Sequence, residues 1–143
     1  MSVVRLRPEH LADVAALEAA VFHAPWSAES LSILCGDGGF GFVAVEGGRV
    51  LAYGGMLTVL DEGQITNIAT HPTARRRGLA RAVLAAMVAE ARARGVAQIS
   101  LEVRESNEGA LALYREFGFT LAGKRPRFYT HPTETALVMI CDL

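Results

Sequence analysis

Two stretches of this chain bring together residue types that could do chemistry. The first is Ile68-Ala69-Thr70-His71-Pro72-Thr73-Ala74-Arg75-Arg76-Arg77-Gly78-Leu79-Ala80-Arg81. It leaves an apolar segment and enters a long Ala-rich one, with three arginines and a glycine at the mouth of the expected helix. A helix N-terminus presents unpaired N–H groups and the positive end of its dipole, so arginines placed there oppose the helix itself. Gly78 lowers helix propensity but lets an external group approach the backbone. Both costs make sense if a polyanion, such as a pyrophosphate, sits in the turn. A solvated basic turn is the equally weighted alternative. Neither a Walker loop nor a GxGxxG fingerprint is present, and no accompanying Mg²⁺-binding pattern supports a nucleotide.

The second stretch runs through Leu101-Glu102-Val103-Arg104-Glu105-Ser106-Asn107 and on to Tyr114 and Gly118-Phe119. Taken singly, Glu102 reads as a solvated strand carboxylate and Asn107 as a helix cap. Tyr114 reads as a core tyrosine whose hydroxyl bonds a neighbour.

The elements that must position these groups are legible from periodicity and breakers. A strand is expected over Val3 to Arg7, then a helix from Pro8 to Phe22 with Leu11, Val14, Leu17 and Val21 at helical spacing. Ser27 caps a short second helix ending near Gly36. Phe40 to Glu46 and Arg49 to Leu60 form a hairpin about Gly47-Gly48, and Gln64 to Thr70 completes an antiparallel meander. Leu79 to Arg94 is the longest helix, stopped by Gly95. Val96 to Val103 is a strand with Ile99, Leu101 and Val103 on one face. Asn107 caps a helix through Phe117, stopped by Gly118, and a hairpin of Phe119 to Arg125 with Ala136 to Leu143 ends the chain. The strand–helix–strand unit in the middle requires a parallel pair in an otherwise antiparallel sheet. The class is α/β, with a mixed sheet and a single domain over residues 1–143.

Composition bounds the rest. A chain of 143 residues should expose roughly 7,000 Å² when folded against about 22,000 Å² unfolded, enough burial for a core without staples. Hydrophobic residues make up 51% and supply that core. Fourteen basic and fifteen acidic residues give a net charge of −1, which argues against a surface committed to nucleic acid. Cys35 and Cys141 are isolated and are expected as buried free thiols, as in a cytoplasmic protein, with one disulfide the alternative. His71 and His131 lie beside prolines and are expected at the surface rather than as catalytic bases. No apolar run approaches the ~18 residues of a membrane span, and the first residues lack a signal-peptide core.

Arg75-x-x-Gly78-x-Ala80, in its strand-to-helix setting, resembles the pyrophosphate loop of the GNAT superfamily of acetyl-CoA-dependent N-acetyltransferases, which reads Arg/Gln-x-x-Gly-x-Gly/Ala. Pro25-Trp26-Ser27, Asn67-Ile68-Ala69, Glu102-Val103-Arg104-x-Ser106-Asn107 and Ala112-Leu113-Tyr114-x-x-x-Gly118-Phe119 together resemble its RimI-type branch, the ribosomal-protein N-terminal alanine acetyltransferases. The resemblance implies a twisted sheet of about seven strands, mostly antiparallel and splayed at its central parallel pair, with four helices. It implies Glu102 as general base and Tyr114 as general acid. It places acetyl-CoA against Ile68, Ala69, Thr70, Arg75, Arg76, Arg77, Gly78, Leu79, Ala80, Arg81 and Asn107, with no metal. It gives Asn67 and Tyr129 to the acceptor, a protein N-terminus; Trp26, a lone tryptophan after a proline, is expected as a packing anchor, with a place in the acceptor cleft the alternative. The chain departs from the branch between the last two strands: Arg127 to Ala136 is short, Phe128-Tyr129 stands for a Tyr-Tyr pair, and Thr135 stands where an acid is common. The chemistry suits an α-amine, whose pKa of ~8 leaves far more free base near neutrality than the ~10.4 of lysine; a lysine side chain or small-molecule amine is the alternative acceptor, and a non-catalytic acyl-CoA-binding module the second alternative.

Overall fold

Local chemistry sets most element ends in the computed structural model, which describes residues 1–143. The chain runs β1 (Ser2–Arg5), a 3-10 turn, α1 (Leu11–Val21), α2 (Ala28–Leu31) with a further 3-10 turn, β2 (Gly39–Glu46), β3 (Arg49–Val59) and β4 (Glu62–Thr70). A third 3-10 turn leads to α3 (Leu79–Ala93), followed by β5 (Gln98–Arg104), α4 (Glu108–Glu116), β6 (Thr120–Tyr129) and β7 (Glu134–Asp142). Ser27 accepts a hydrogen bond from the Ser30 amide and Asn107 from the Ala110 amide, so both expected caps are made. Gly47 and Gly48 both take positive φ, the geometry of a two-residue hairpin turn. The first helix starts as a single 3-10 turn at Pro8–His10, and its α-helical part stops at Val21.

The seven strands pair in the order β1-β2-β3-β4-β5-β7-β6. All neighbours are antiparallel except β4 and β5, which pair in parallel only at Glu62 to Gln64 with Gln98 to Ser100. From Ile65 onward the two strands diverge, which opens one edge of β4. The last strand β7 lies between β5 and β6, leaving β6 at the sheet edge. Its edge position tolerates Pro126, which has no N–H for a ladder; β6 therefore runs on to Tyr129, beyond the expected Arg125.

Helices cover both faces of the sheet. On one face α1 and α2 enclose Leu6, Val14, Leu17, Leu31, Tyr53 and neighbours. On the other, α3 and α4 pack Leu79, Val83, Leu84, Met87 and Leu111 against β2 to β5 and β7. The exposed area of 7671 Å² is close to that expected for the chain length. No helix is long and apolar enough to cross a membrane.

The close seat of α3 depends on Gly54 of β3, where a Cβ would meet Met87 Sδ and lie 2.9 Å from Val83 Cγ1. Gly54→Ala is therefore expected to destabilise by about 1–3 kcal/mol through overpacking, lowering Tm by roughly 3–10 °C. Calorimetry reads this directly; an unchanged melting curve would mean that α3 shifts freely on the sheet.

Candidate active site

The divergence of β4 from β5 creates a cavity of about 760 Å³. Its walls are β4 from Gln64 to Ile68, β5 from Leu101 to Arg104, the start of α4, the α1–α2 connection and the β6–β7 turn. Trp26, Asn67, Ile68, Glu102, Asn107, Tyr114 and Tyr129, all singled out in the sequence, line this one space. A bulge of β4 lies on its floor: Met56 pairs with Ile65 and Gly54 with Ile68, so β4 carries an extra residue between them.

Alternation along β5 puts Ile99, Leu101 and Val103 into the core and leaves Glu102 on the opposite face, half-buried at the cleft. Its Oε1 lies 4.0 Å from the Arg125 guanidinium. Tyr114 is 7% exposed and its ring packs on Phe119 at 5.7 Å. The expected partner for a core tyrosine is missing: the residue lines the cavity, and its hydroxyl has no hydrogen-bond partner and is not sealed from the cleft. Burial, helped by Tyr129, pushes that hydroxyl up to about 12, so it stays protonated as a donor. Tyr129 is likewise pushed up to about 12, first by burial and then by the Glu102 charge. Asn107 spends its Oδ1 on the Ala110 amide, which leaves its NH₂ edge available.

At the mouth of α3 the first helical bond is Ala82 N–H to the Gly78 carbonyl, at 3.1 Å. The amides of Gly78, Leu79, Ala80 and Arg81 have no partner within the protein, and no side chain caps the helix. Gly78 takes φ +76°, and nothing lies within 4 Å of the position its Cβ would occupy. Its backbone conformation is thus the requirement that glycine meets here. Arg75 and Arg76 form no ion pair, but Arg77 grips both oxygens of Glu46 at 2.8 and 2.9 Å and Arg81 grips Glu116 at 2.7 Å. Four free amides beside two free guanidiniums fit a diphosphate. The side chains of Ala69 and Leu79 lie in the two cores, so these two residues offer a ligand only their backbone.

A model of the Acetyltransferase (GNAT) family matches residues 11–119. The chain belongs to the GNAT acetyltransferase family. It is 38% identical over 117 residues to the ribosomal protein bS18-alanine N-acetyltransferase of Escherichia coli K12, covering 80% of this chain and 79% of that protein. The protein of the same name from Haemophilus influenzae is 34% identical over 122 residues, covering 83% of each. The crystal structure of the ribosomal-protein-S18-alanine N-acetyltransferase from Escherichia coli matches with a TM-score of 0.90 at 34% identity, over 99% of this chain and 92% of that one. Ard1 from Thermoplasma volcanium, at 18% identity and a TM-score of 0.85 over 99% of this chain and 97% of that one, shares the fold. The family uses acetyl-CoA, and this chain is an acetyl-CoA-dependent N-acetyltransferase.

Several groups in the acetyltransferase escaped the sequence reading. Arg104 Nη1 donates to the Pro132 carbonyl and to Glu134, and Nη2 to the Thr130 carbonyl, tying the β6–β7 turn to β5. Glu134 in turn accepts from the Ser106 amide at 2.6 Å; that bond and Arg104 hold its carboxyl below the usual range. His131 is exposed as expected, yet it stacks on His23 with ring centroids 3.9 Å apart, joining the two walls of the cleft. Cys141 is buried and free, whereas Cys35 is free and exposed, contrary to expectation, because it ends the 3-10 turn after α2 at the surface. Trp26 both packs on the α1 core and lines the cleft. Glu18, fully buried on α1, is the largest omission.

Proposed function

We propose that this acetyltransferase transfers the acetyl group of acetyl-CoA to the free α-amino group of a protein N-terminus, the N-terminal alanine of ribosomal protein bS18, by direct attack within a ternary complex. The observation that carries the reading is the single cleft that holds a carboxylate, Glu102, and an unpartnered phenol, Tyr114. The relatives' printed activity supports the choice of acceptor.

Acetyl-CoA, when bound, supplies a thioester whose carbonyl an amine can attack. The amides and free arginines at the mouth of α3 hold its diphosphate, and the Asn107 NH₂ edge steadies it from α4. Glu102 accepts the proton that the acceptor nitrogen gives up as the N–C bond forms. Tyr114 donates its proton to the sulfur as the C–S bond breaks, and Glu102 and solvent return one to it. Free amides on the open edge of β4 polarise the carbonyl. Trp26, Asn67 and Tyr129 line the acceptor's side. In this reading residues 1–143 act as one domain in the cytoplasm, without a metal and without binding nucleic acid directly.

Peptides beginning with alanine and carrying one internal lysine test it, read by mass spectrometry with acetyl-CoA present. One acetyl group is expected on the free N-terminus and none on the same peptide with its N-terminus blocked. Acetylation of the lysine in both peptides, or no acetyl group on either peptide, would overturn the acceptor assignment.

A further inference from the structure

Glu18 is the one fully buried charged side chain, at 0% exposure, and it forms no ion pair. Such a carboxylate is tolerable only when hydrogen bonds replace its water. Three donors do so, each from a different element. The Trp26 amide of the α1–α2 connection reaches Oε1 at 3.0 Å; the Asn67 NH₂ of β4 reaches Oε2 at 2.9 Å, and the Tyr53 hydroxyl of β3 shares that oxygen. Burial and the Glu18 charge push the Tyr53 hydroxyl far up, so it remains a donor. Glu18 and Tyr53 stand behind the cleft, whereas Asn67 and Trp26 line it.

A carboxylate can only accept. The Asn67 amide must therefore face Glu18 with its NH₂ edge, and this fixes which edge is left over. Asn67 takes part in side-chain bonding only through its NH₂, and its Oδ1 is not among the sealed polar atoms. We propose that Glu18 is a positioning residue for the acceptor: it locks Asn67 so that Oδ1 faces the cleft as a fixed receiver for an N–H of the incoming substrate, and it pins the Trp26 backbone as the adjoining wall. This rests on the reading that the acceptor enters beside β4. Glu18 itself touches no substrate.

Glu18→Gln keeps the shape but offers Asn67 and Tyr53 a side chain that both donates and accepts, so the Asn67 amide is free to turn over. The expected result is a rise of about tenfold in acceptor KM, the worth of one well-made hydrogen bond, with the acetyl-CoA KM within about twofold of wild type. Asn67→Ala should show the same selective rise, and adding Glu18→Gln to it should change nothing further. An unchanged acceptor KM, an equal rise in both KM values, or losses that multiply in the double variant would overturn the proposal.

The only tryptophan of the chain, Trp26, gives a readout apart from turnover. Its fluorescence, titrated with peptide in the presence of coenzyme A, should report an acceptor Kd weakened about tenfold in Glu18→Gln. If that variant fails to fold, Tyr53→Phe removes one donor and leaves the core filled. It should raise acceptor KM about threefold and selectively; equal values would sink the idea. Should the wild type ignore N-terminal peptides and acetylate another amine, the acceptor assignment fails, while the same comparison on that amine still decides the role of Glu18.

Discussion

Glu102→Gln is expected to lower kcat by about two to four orders of magnitude, the usual worth of a positioned general base, with the acetyl-CoA KM unchanged. The substitution keeps the volume and the half-buried place of the side chain on β5 and removes only its capacity to take a proton. Tyr114→Phe is expected to cost a comparable factor. Its ring packing on Phe119 survives, and its hydroxyl has no hydrogen-bond partner in the fold, so the melting temperature should hardly move. The double variant should lose less than the product of the two factors, because both groups serve one transfer. The pH profile separates the roles further. Activity should rise through pH ~8 as the α-amine of the acceptor loses its proton. With Tyr114 held up to about 12, its acid form persists through that range and the falling limb belongs well above pH 10. Release of coenzyme A, followed by a thiol reagent, measures all of this. Wild-type kcat in both single variants would remove these residues from the chemistry.

What was legible beforehand had local causes. Ser27, Asn107, the Gly47-Gly48 pair and Gly95 act on bonds within a few residues of themselves, so their types announce the ends they make. The alternation of β5 likewise announced which face Glu102 would occupy. The insertion of β7 between β5 and β6 was not legible, since strand order rests on contacts between distant segments. The partners of Arg77 and Arg81 lie 31 and 35 residues away, so all arginines of the turn looked alike. Glu18 is the instructive miss, because its signal was present. It stands four residues after Val14 and three before Val21, on the apolar stripe of α1, where a carboxylate must find donors or not be buried. Once that stripe is drawn, a charged residue on it is a question about what lies opposite; Tyr53 and Asn67 answer it.

The four arginines of the α3 turn should divide sharply when replaced. Arg75→Ala and Arg76→Ala are each expected to raise the acetyl-CoA KM about tenfold or more, and together about a hundredfold, as charge-assisted bonds to a diphosphate are lost. Neither side chain has a carboxylate partner in the fold, so each is free to meet an anion. Arg77 and Arg81 are already engaged: hydrogen bonds from Arg77 hold the Glu46 carboxyl low, and Glu116 raises Arg81. Both pairs are solvent-exposed, so breaking either costs little stability. Arg77→Ala and Arg81→Ala should therefore leave the acetyl-CoA KM within about threefold, since the free helix amides remain and those two guanidiniums point elsewhere. Salt adds a second discriminant. The wild-type KM for acetyl-CoA should climb with ionic strength, and the Arg75→Ala, Arg76→Ala protein should respond much less. Steady-state kinetics at two salt concentrations supplies both numbers. Equal effects at all four positions would mean that the ion pairs with Glu46 and Glu116 open when the cofactor arrives, and that the whole basic rim, rather than its two free members, holds the diphosphate.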